Sequence, residues 1–321
     1  MTVRPADPLE DVLTLVGTTS RLSTGLVAGG RWALAFDPPQ GVKFNAVRRG
    51  HCLLTVDGVP GPIELREGDC FLLVQPRAFT LAGGPDVAPV PAAPVFKAAG
   101  SDLARAGDGD DVELMGGRFD FGERARELLF DVLPPVIHVP GRTAQATTVR
   151  WALELIAAEL RDPQPAAALV TEHLALVMLI HLLRLHLAAT PGGTSGWLAG
   201  LADPVVAPAL RAMHARPAHA WTVSELAGVS AVSRSTLAAR FKRVVGRGPL
   251  EYLTGWRIEL AAGRLRHGGA TMESIAREVG YASVSALSNA FKRVTGLAPR
   301  DYRRAAGVAG RFADGEPVGG G

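Results

Sequence analysis

The chain has 321 residues, enough for two domains, and its composition of 47% apolar and 20% charged residues is typical of a soluble globular protein. The first ten residues lack the apolar segment of a signal peptide, and two cysteines are too few for a disulfide framework, so we expect a cytoplasmic protein. Residues 218–305 contain 14 Lys and Arg against 6 Asp and Glu, a balance of +8, whereas residues 1–217 contain 19 against 23, a balance of −4. This asymmetry predicts that only the C-terminal region binds a polyanion.

Residues 1–140 are predicted to form a β domain. Apolar and polar residues alternate in short segments separated by turns that contain Gly or Pro, and Asp57-Gly58 is a strong hairpin signal. We interpret residues 12–81 as β, with strands at 42–46, 52–56, 63–65 and 70–74, and further strands at 111–121 and 132–139. Residues 82–93 are rich in Pro, Gly and Ala and are predicted to be a loop. This pattern favours an antiparallel β-barrel or jelly roll.

Residues 141–200 are predicted to be a helical connector. The apolar residues that recur there at helical spacing are Val149, Leu153, Ile156 and Leu160, with Trp151 and Leu155 widening the stripe. Residues 166–187 form a second, almost wholly apolar helix, but Glu172 and Arg184 within it favour a packed helix over a membrane span. Such a helix needs cover on all sides, from the β domain or from a second subunit, and we favour a dimer seam. Residues 191–196 have the composition of a linker.

The last third of the chain contains one pattern twice, at an offset of 50 residues. The first copy is Phe241-Lys242-Arg243-Val244, Gly246, Pro249 and Tyr252, and the second is Phe291-Lys292-Arg293-Val294, Gly296, Pro299 and Tyr302. Thr222 and Glu225 form a capping box, and the caps predicted for the other helices are Ser233, Thr271 and Ser283. A capped helix, a short turn and a second capped helix form a helix-turn-helix unit, so the region predicts two of them.

The second helix of each unit has an exposed face suited to the major groove of DNA. If Leu237 and Leu287 point inward, the side chains placed to reach bases are Arg234, Ser235, Ala238, Ala239, Ser285, Ser288 and Asn289. The side chains suited to phosphates are Lys242, Arg243, Arg247, Lys292, Arg293 and Arg300. Asn289 can pair bidentately with adenine, whereas Ala238 and Ala239 offer only apolar contacts. The alternative, a merely solvated charged face, explains neither the duplication nor the charge of this region.

Residues 203–305 resemble the AraC/XylS family of transcriptional regulators. The similarity lies in the run Ile275-Ala276-Arg277-Glu278-Val279-Gly280-Tyr281-Ala282-Ser283 and in the second copy of the repeat described above. The N-terminal region is similar to the cupin-type sensor domain of part of that family, through Leu65-Arg66-Glu67-Gly68-Asp69 and Leu133-Pro134-Pro135 among other segments. The resemblance implies an α+β protein with a cupin-like antiparallel β-barrel, a central helical dimerisation segment and an all-α domain with two helix-turn-helix units. It also implies double-stranded DNA, a second copy of the chain, RNA polymerase and an unidentified small-molecule effector as partners, and no membrane.

Two other functions are weighed against this interpretation. A cupin enzyme needs convergent metal ligands, but Asn45 and Phe79 stand where some relatives carry histidine, and His51 is isolated. His173 and His181 lie eight residues apart on one helix, about 12 Å, too far to share a metal. We therefore expect no catalytic residue, metal or cofactor. The third interpretation, a DNA binder without an effector, stays open, and residues 306–321 are expected to be disordered.

Overall fold

The computed structural model describes residues 7–16, 19–100, 103–121, 133–143, 146–162, 164–189 and 196–304. The chain divides into two compact units, of which one is residues 17–194 and the other combines residues 1–16 with residues 195–321. Most of the predicted linker and all of the tail predicted to be disordered lie outside the described residues.

The strands of residues 17–194 form two sheets. They are β1 (Thr19–Gly29), β2 (Ala33–Phe36), β3 (Val42–Arg49), β4 (His51–Val56), β5 (Ile63–Arg66), β6 (Cys70–Leu73), β7 (Phe79–Ala82), β8 (Val90–Pro91), β9 (Ala104–Gly107), β10 (Val112–Asp120) and β11 (Val136–Val139). One sheet has the order β11-β6-β3-β10-β1-β9 and the other the order β5-β4-β7-β2-β8. The β1–β9 and β2–β8 pairs are parallel, and the remaining pairs are antiparallel.

The α+β class and the predicted strands are confirmed, with one difference in how the strands associate. The strands do not close into one barrel, because the described residues pair within the two sheets and not between them. Leu26 and Leu114 of the larger sheet share a buried apolar core with Leu54 and Phe79 of the smaller one. The domain is therefore a β-sandwich whose cohesion comes from side chains packed between two inner faces.

Two helices occur where the sequence predicted strand or loop. Helix α1 (Pro8–Val16) overlaps the start of the region interpreted as β, and its N-terminus is capped by Asp7, whose Oδ1 accepts from the Leu9 amide at 3.0 Å. Its buried residues Leu9, Val12 and Leu13 have helical spacing, a signal that the prediction overlooked. Helix α2 (Ala92–Ala99) begins within the predicted loop, directly after β8.

Two long helices follow the strands, as the connector prediction required. Helix α3 (Thr147–Arg161) buries Val149, Leu153 and Ile156, and it packs against α4 (Ala167–Ala189). Helix α4 also packs against β1 and β11. In the part of the chain that the structure describes, it is the one helix long and apolar enough to cross a membrane, but the same composition suits a helix packed in a soluble protein.

Both cysteines are buried in the β-sandwich, Cys52 in β4 and Cys70 in β6. Burial raises the pKa of each thiol to about 12, with the nearby charge of Asp69 adding to the effect. At neutral pH both are therefore protonated, and the thiolate that oxidation requires is scarce. This favours inert packing over a redox switch.

The structural unit that combines residues 1–16 with residues 195–321 is helical where it is described. It contains α1 together with α5 (Trp197–Ala202), α6 (Val206–Ala215), α7 (Val223–Val229), α8 (Arg234–Val245), α9 (Pro249–His267), α10 (Met272–Glu278), α11 (Val284–Thr295) and helical residues 299–304. Helix α9 serves two cores. Its buried Tyr252 and Trp256 pack around His214, and its Ile258 and Leu265 pack with α10 and α11.

Candidate nucleic-acid interface

The first helix-turn-helix unit is formed by α7 and α8, and both helices are capped as predicted. The Thr222 hydroxyl accepts from the Glu225 amide at 3.1 Å, and the Glu225 carboxylate accepts from the Thr222 amide at 2.7 Å. Ser233 caps α8 by accepting from the Thr236 amide at 3.1 Å. Helix α8 ends at Gly246, which has the left-handed conformation that a helix C-terminus favours. These caps fix where the helix begins and ends, and so which of its residues face outward.

The second unit, α10 and α11, has the same arrangement. Thr271 accepts from the Ser274 amide at 3.2 Å, and Ser283 accepts from the Ala286 amide at 3.1 Å. Gly296 ends α11 in the left-handed region, as Gly246 ends α8. The duplicated sequence therefore corresponds to a duplicated structural unit.

The turns of the two units have one geometry but differ in sequence and length. Ala231 and Gly280 both have positive φ, at 52° and 80°, and occupy equivalent places, since their amides donate to the residue three before them at 3.1 and 3.2 Å. The first unit thus holds an alanine in the left-handed conformation that glycine occupies in the second unit. Up to this point the two copies are offset by 49 residues, and the additional residue Ala282 before the capping serine restores the offset of 50.

The residues predicted to contact DNA lie on the open side of α8 and α11. Those assigned to phosphates are all exposed: Lys242, Arg243, Arg247, Lys292, Arg293 and Arg300. Of those assigned to bases, Ala238 and Ser288 are half-buried and the others are exposed: Arg234, Ser235, Ala239, Ser285 and Asn289. Leu237 and Leu287 are fully buried beneath them. This is the distribution around the helix axis that the 100° spacing predicts, except at Arg234, which that spacing places nearer the buried side.

Helix α8 is anchored by an arginine that the sequence analysis left unassigned. Arg240 pairs with the buried carboxylate of Asp203 at 2.7 Å. Burial would raise the pKa of Asp203, but hydrogen bonds from the Val206 and Val205 amides and from Arg240 together hold that pKa below its usual value. Asp203 thus caps α6 and ties α8 to it. Its place before Pro204 was the available signal, because Asp before a helix is a common cap.

A buried histidine joins the first unit to α1 and α9. His214 is stacked on Trp256 at 4.1 Å between ring centroids, and its ring nitrogens lie 2.8 Å from the Tyr252 hydroxyl and 3.1 Å from the Asp11 carboxylate. Burial lowers the pKa of His214, although the hydrogen bond and the charge of Asp11 act in the opposite direction. Neither Asp11 nor its helix was expected to take part in this unit.

The second unit is held by cations nearer the surface. Arg257 of α9 donates to the carbonyls of Pro217 and His219, both at 2.7 Å. Arg264 pairs with Glu278 of α10 at 3.0 Å. Arg257 thus ties α9 to the segment before α7, and Arg264 ties α9 to α10. Burial lowers the pKa of Arg257, yet its guanidinium stays charged.

Two capped helix-turn-helix units on a basic helical unit define a DNA-binding protein, since in such motifs the second helix is generally the one that enters the major groove. Comparisons with known proteins agree. A helix-turn-helix domain model matches residues 226–305, and a cupin model matches residues 7–188, more than half of the chain.

The relatives extend the match over nearly the whole chain. Two proteins, each described as a putative AraC-like transcription regulator, come from Streptomyces lividans and Streptomyces antibioticus. They are 63% and 62% identical over 298 residues, which cover 93% of this chain and 98% of each relative. The DNA-binding domain of AdpA, solved in complex with a target DNA, is 28% identical, with a TM-score of 0.32 over 35% of this chain and 99% of its own. The chain belongs to the AraC-like transcription regulators.

Proposed function

We propose that this regulator acts as a homodimer that places α8 and α11 in successive segments of the major groove and responds to a small molecule bound in its β-sandwich. The exposed face of the two capped helices is the observation that supports the proposed DNA contacts. Among the described residues, none of the six cations assigned to phosphates forms an ion pair, so they are available to a polyanion. Small side chains on the same face allow close approach to base edges.

The two helices have different parts in this proposal. Asn289, with Ser285 and Ser288 beside it, supplies hydrogen-bonding groups to base edges, and Asn289 takes an adenine. In α8 the equivalent positions Ala238 and Ala239 offer methyl groups, so α8 contributes mainly phosphate contacts and position. RNA polymerase is the partner through which binding at a promoter would change transcription. Promoter DNA and RNA polymerase both place this activity in the cytoplasm.

The test of the assigned face is Asn289→Ala, measured by binding to DNA from the region upstream of the chain's own gene. We expect a loss of about 1–3 kcal/mol on the operator and relaxed preference at one base pair. The control Lys292→Ala should weaken binding to all DNA sequences similarly. It should also reduce the slope of log affinity against log salt concentration by about one, as expected for one lost phosphate contact. Wild-type binding by both variants would show that the recognition face is assigned wrongly.

The dimer is proposed from the outer face of α3 and α4. Trp151, expected inside the apolar stripe, is 52% exposed, and Leu169 of α4 is 56% exposed. Leu155 and Val170 are also exposed, so the two helices present apolar side chains to solvent. A second copy is the natural cover, since an isologous contact would align two DNA-binding units with paired half-sites. Trp151→Glu should convert the dimer to a monomer in sedimentation equilibrium, whereas Glu154→Gln on the same helix should leave it dimeric.

A further inference from the structure

The described part of the β-sandwich contains a cavity of about 420 Å³ between its sheets, a volume typical of small-molecule sites. Its walls come from β1, β3 and β10 of the larger sheet, from β2 and β7 of the smaller sheet and from α2. The proposed DNA contacts lie in the other unit and do not account for this cavity.

Strand register arranges the wall of the larger sheet in rows. Arg118 of β10 is paired with Lys43 on one side and with Arg21 on the other, so three cations lie side by side. The next row inward is Asn45, Gly116 and Ser23, and Leu114 and Leu26 lie beyond it. The wall thus changes from cationic to apolar over four residues, about 13 Å of strand.

A β-bulge makes this order possible. The pairing of β1 with β10 shifts between Ser23 and Leu26, which are three residues apart and would otherwise face opposite sides of the sheet. With the shift, both line the cavity. The bulge therefore lets one strand supply the charged, the neutral polar and the apolar part of the same wall.

The cationic row is incompletely compensated. Three like charges on directly opposed positions destabilise a sheet. Asp120 pairs with Arg118 at 3.0 Å and with Arg21 at 3.5 Å, which leaves Lys43 without a carboxylate partner among the described residues. Within the part of the chain that the structure describes, the Lys43 amine donates only to the Ser23 hydroxyl, at 3.3 Å, and Asp37 at the rim is exposed. Burial, and to a smaller extent Arg118, lowers the pKa of Lys43 to about 8.

Asn45 provides an independent sign that a ligand belongs there. Its side chain is more than nine-tenths buried, it lines the cavity, and its amide nitrogen has no hydrogen-bond partner. A buried donor left unpaired in this way destabilises the folded state. Gly116 opposite it makes room for the Asn45 side chain, because a Cβ there would lie 2.0 Å from the Asn45 Oδ1 atom.

The far end of the cavity suits an apolar body. Phe36 and Phe79 are stacked at 4.5 Å between centroids, and Phe96 of α2 meets Phe36 edge-on at 5.9 Å. Leu81 completes this wall from the smaller sheet. A ligand that fits both ends carries one anionic group and an apolar skeleton.

We propose that the effector of this regulator is an amphipathic carboxylate, whose anionic group accepts from Lys43 and Asn45 and whose apolar skeleton lies against Leu114 and the phenylalanine cluster. This rests on the proposed function, in which the β-sandwich is the sensor. The carboxylate supplies both the negatively charged partner that Lys43 lacks and the hydrogen-bond acceptor that the Asn45 amide nitrogen lacks.

The test is calorimetric titration of the full chain with octanoate, decanoate and 2-naphthylacetate, each beside the alcohol of the same skeleton. At least one carboxylate should bind ten-fold or more tightly than its alcohol. Lys43→Met should remove that preference and Lys43→Arg should retain it. Lys97→Met, an exposed lysine on α2 outside the cavity wall, is the matched control and should behave as wild type.

Equal binding of carboxylates and alcohols, no binding of any carboxylate, or a preference that survives in a folded Lys43→Met protein would overturn the inference. Operator binding by the wild-type chain, measured in parallel, separates this outcome from a failure of the proposed function. If the chain binds operator but no carboxylate, only the effector class is wrong. If it does not bind DNA at all, the proposed function fails whatever the titrations show.

Discussion

The two helix-turn-helix units share a framework but are held in different ways. In each, a tyrosine packs edge-on against the phenylalanine of the recognition helix, at 5.8 Å for Tyr252 on Phe241 and 5.3 Å for Tyr302 on Phe291. The Tyr252 hydroxyl is buried against His214, and burial raises its pKa. The Tyr302 hydroxyl instead accepts from Arg266 at 2.8 Å near the surface.

This difference shows how a duplicated unit can divide its tasks. The first unit is built into a buried polar centre that includes the N-terminal helix, while its outward face is poor in base-reading groups. The second unit has a single hydrogen bond near the surface, from Arg266 to Tyr302, at the equivalent place, and its outward face carries Ser285, Ser288 and Asn289. In the proposed function, structural support and base recognition are thus distributed unequally between two copies of one sequence pattern.

The largest expected effect comes from removing the buried centre of the first unit. His214→Ala should lower the free energy of unfolding of that unit by about 2–4 kcal/mol, because it leaves a cavity beside Trp256 and unpaired groups on Tyr252 and Asp11. Hydrogen exchange of α8 peptides measures this separately from α11. The counterpart, Arg266→Ala at the half-buried Tyr302, should change stability by less than about 1 kcal/mol. Similar losses at both sites would refute the contrast in burial.

The same histidine makes the comparison pH-dependent. Because the pKa of folded His214 lies below its unfolded value near 6.5, the folded state binds fewer protons than the unfolded state between those two values. The contribution of His214 to stability is therefore complete above pH 6.5 and is lost as the pH falls through the folded pKa. The stability difference between wild type and His214→Ala should shrink over that interval, and an increase would show that the sign is wrong.

The next largest effect is expected at the turn of the second unit. In Gly280→Ala, the new Cβ would lie 2.5 Å from the Ala218 carbonyl oxygen and 2.6 Å from its Cα, and the backbone is left-handed. We expect a loss of about 2 kcal/mol or more in urea unfolding, from the clash added to the backbone strain. Gly296→Ala is the matched control, since it has positive φ but open space, and about 1 kcal/mol should suffice there. Equal losses would mean that the contact with Ala218 does not matter.

Local signals in the sequence predicted most of the DNA-binding unit. Caps such as Thr222 and Ser283, and the glycines that end α8 and α11, act within four residues of themselves, so a sequence pattern contains all the information needed. The contact of Asp11 with His214 joins residues 203 positions apart, and no local pattern reveals it. For the same reason, the sequence does not reveal that α1 belongs to the helical, DNA-binding unit.

The cavity was predictable only in part. The alternation of Val42, Phe44 and Ala46 predicts β3, but it identifies Lys43 only as a polar partner on the strand, and the resemblance marks Asn45 only as a position where some relatives carry histidine. Because β3 is central in its sheet and buried on both sides, that face lines the cavity instead of meeting solvent. The register that aligns Lys43 with Arg118 depends on pairing between distant strands, and a β-bulge in β1 cannot be predicted from one strand alone.

A smaller effect tests whether both recognition helices dock. Lys242→Ala and Lys292→Ala remove equivalent cations, so each should weaken DNA binding without altering sequence preference. Each should also lower the slope of log affinity against log salt concentration by about one. Binding measured from 50 to 200 mM salt gives both slopes. If Lys242→Ala leaves the slope unchanged while Lys292→Ala lowers it, then only the second unit contacts phosphates, and the division of tasks is sharper than proposed.

The smallest effect is expected where the two turns differ in sequence. Ala231 has a left-handed backbone and an exposed side chain, so Ala231→Gly removes a strain of about 1 kcal/mol. It also raises the entropy of the unfolded chain, which destabilises the folded state by a comparable or smaller amount. The net change should be a gain of up to about 1 kcal/mol in urea unfolding, with unchanged affinity for DNA. Ala227→Gly, in the buried interior of α7, is the control and should lose stability instead. A loss at Ala231 would mean that its methyl group makes a contact outweighing the strain, and that the first unit is adapted to alanine at this turn.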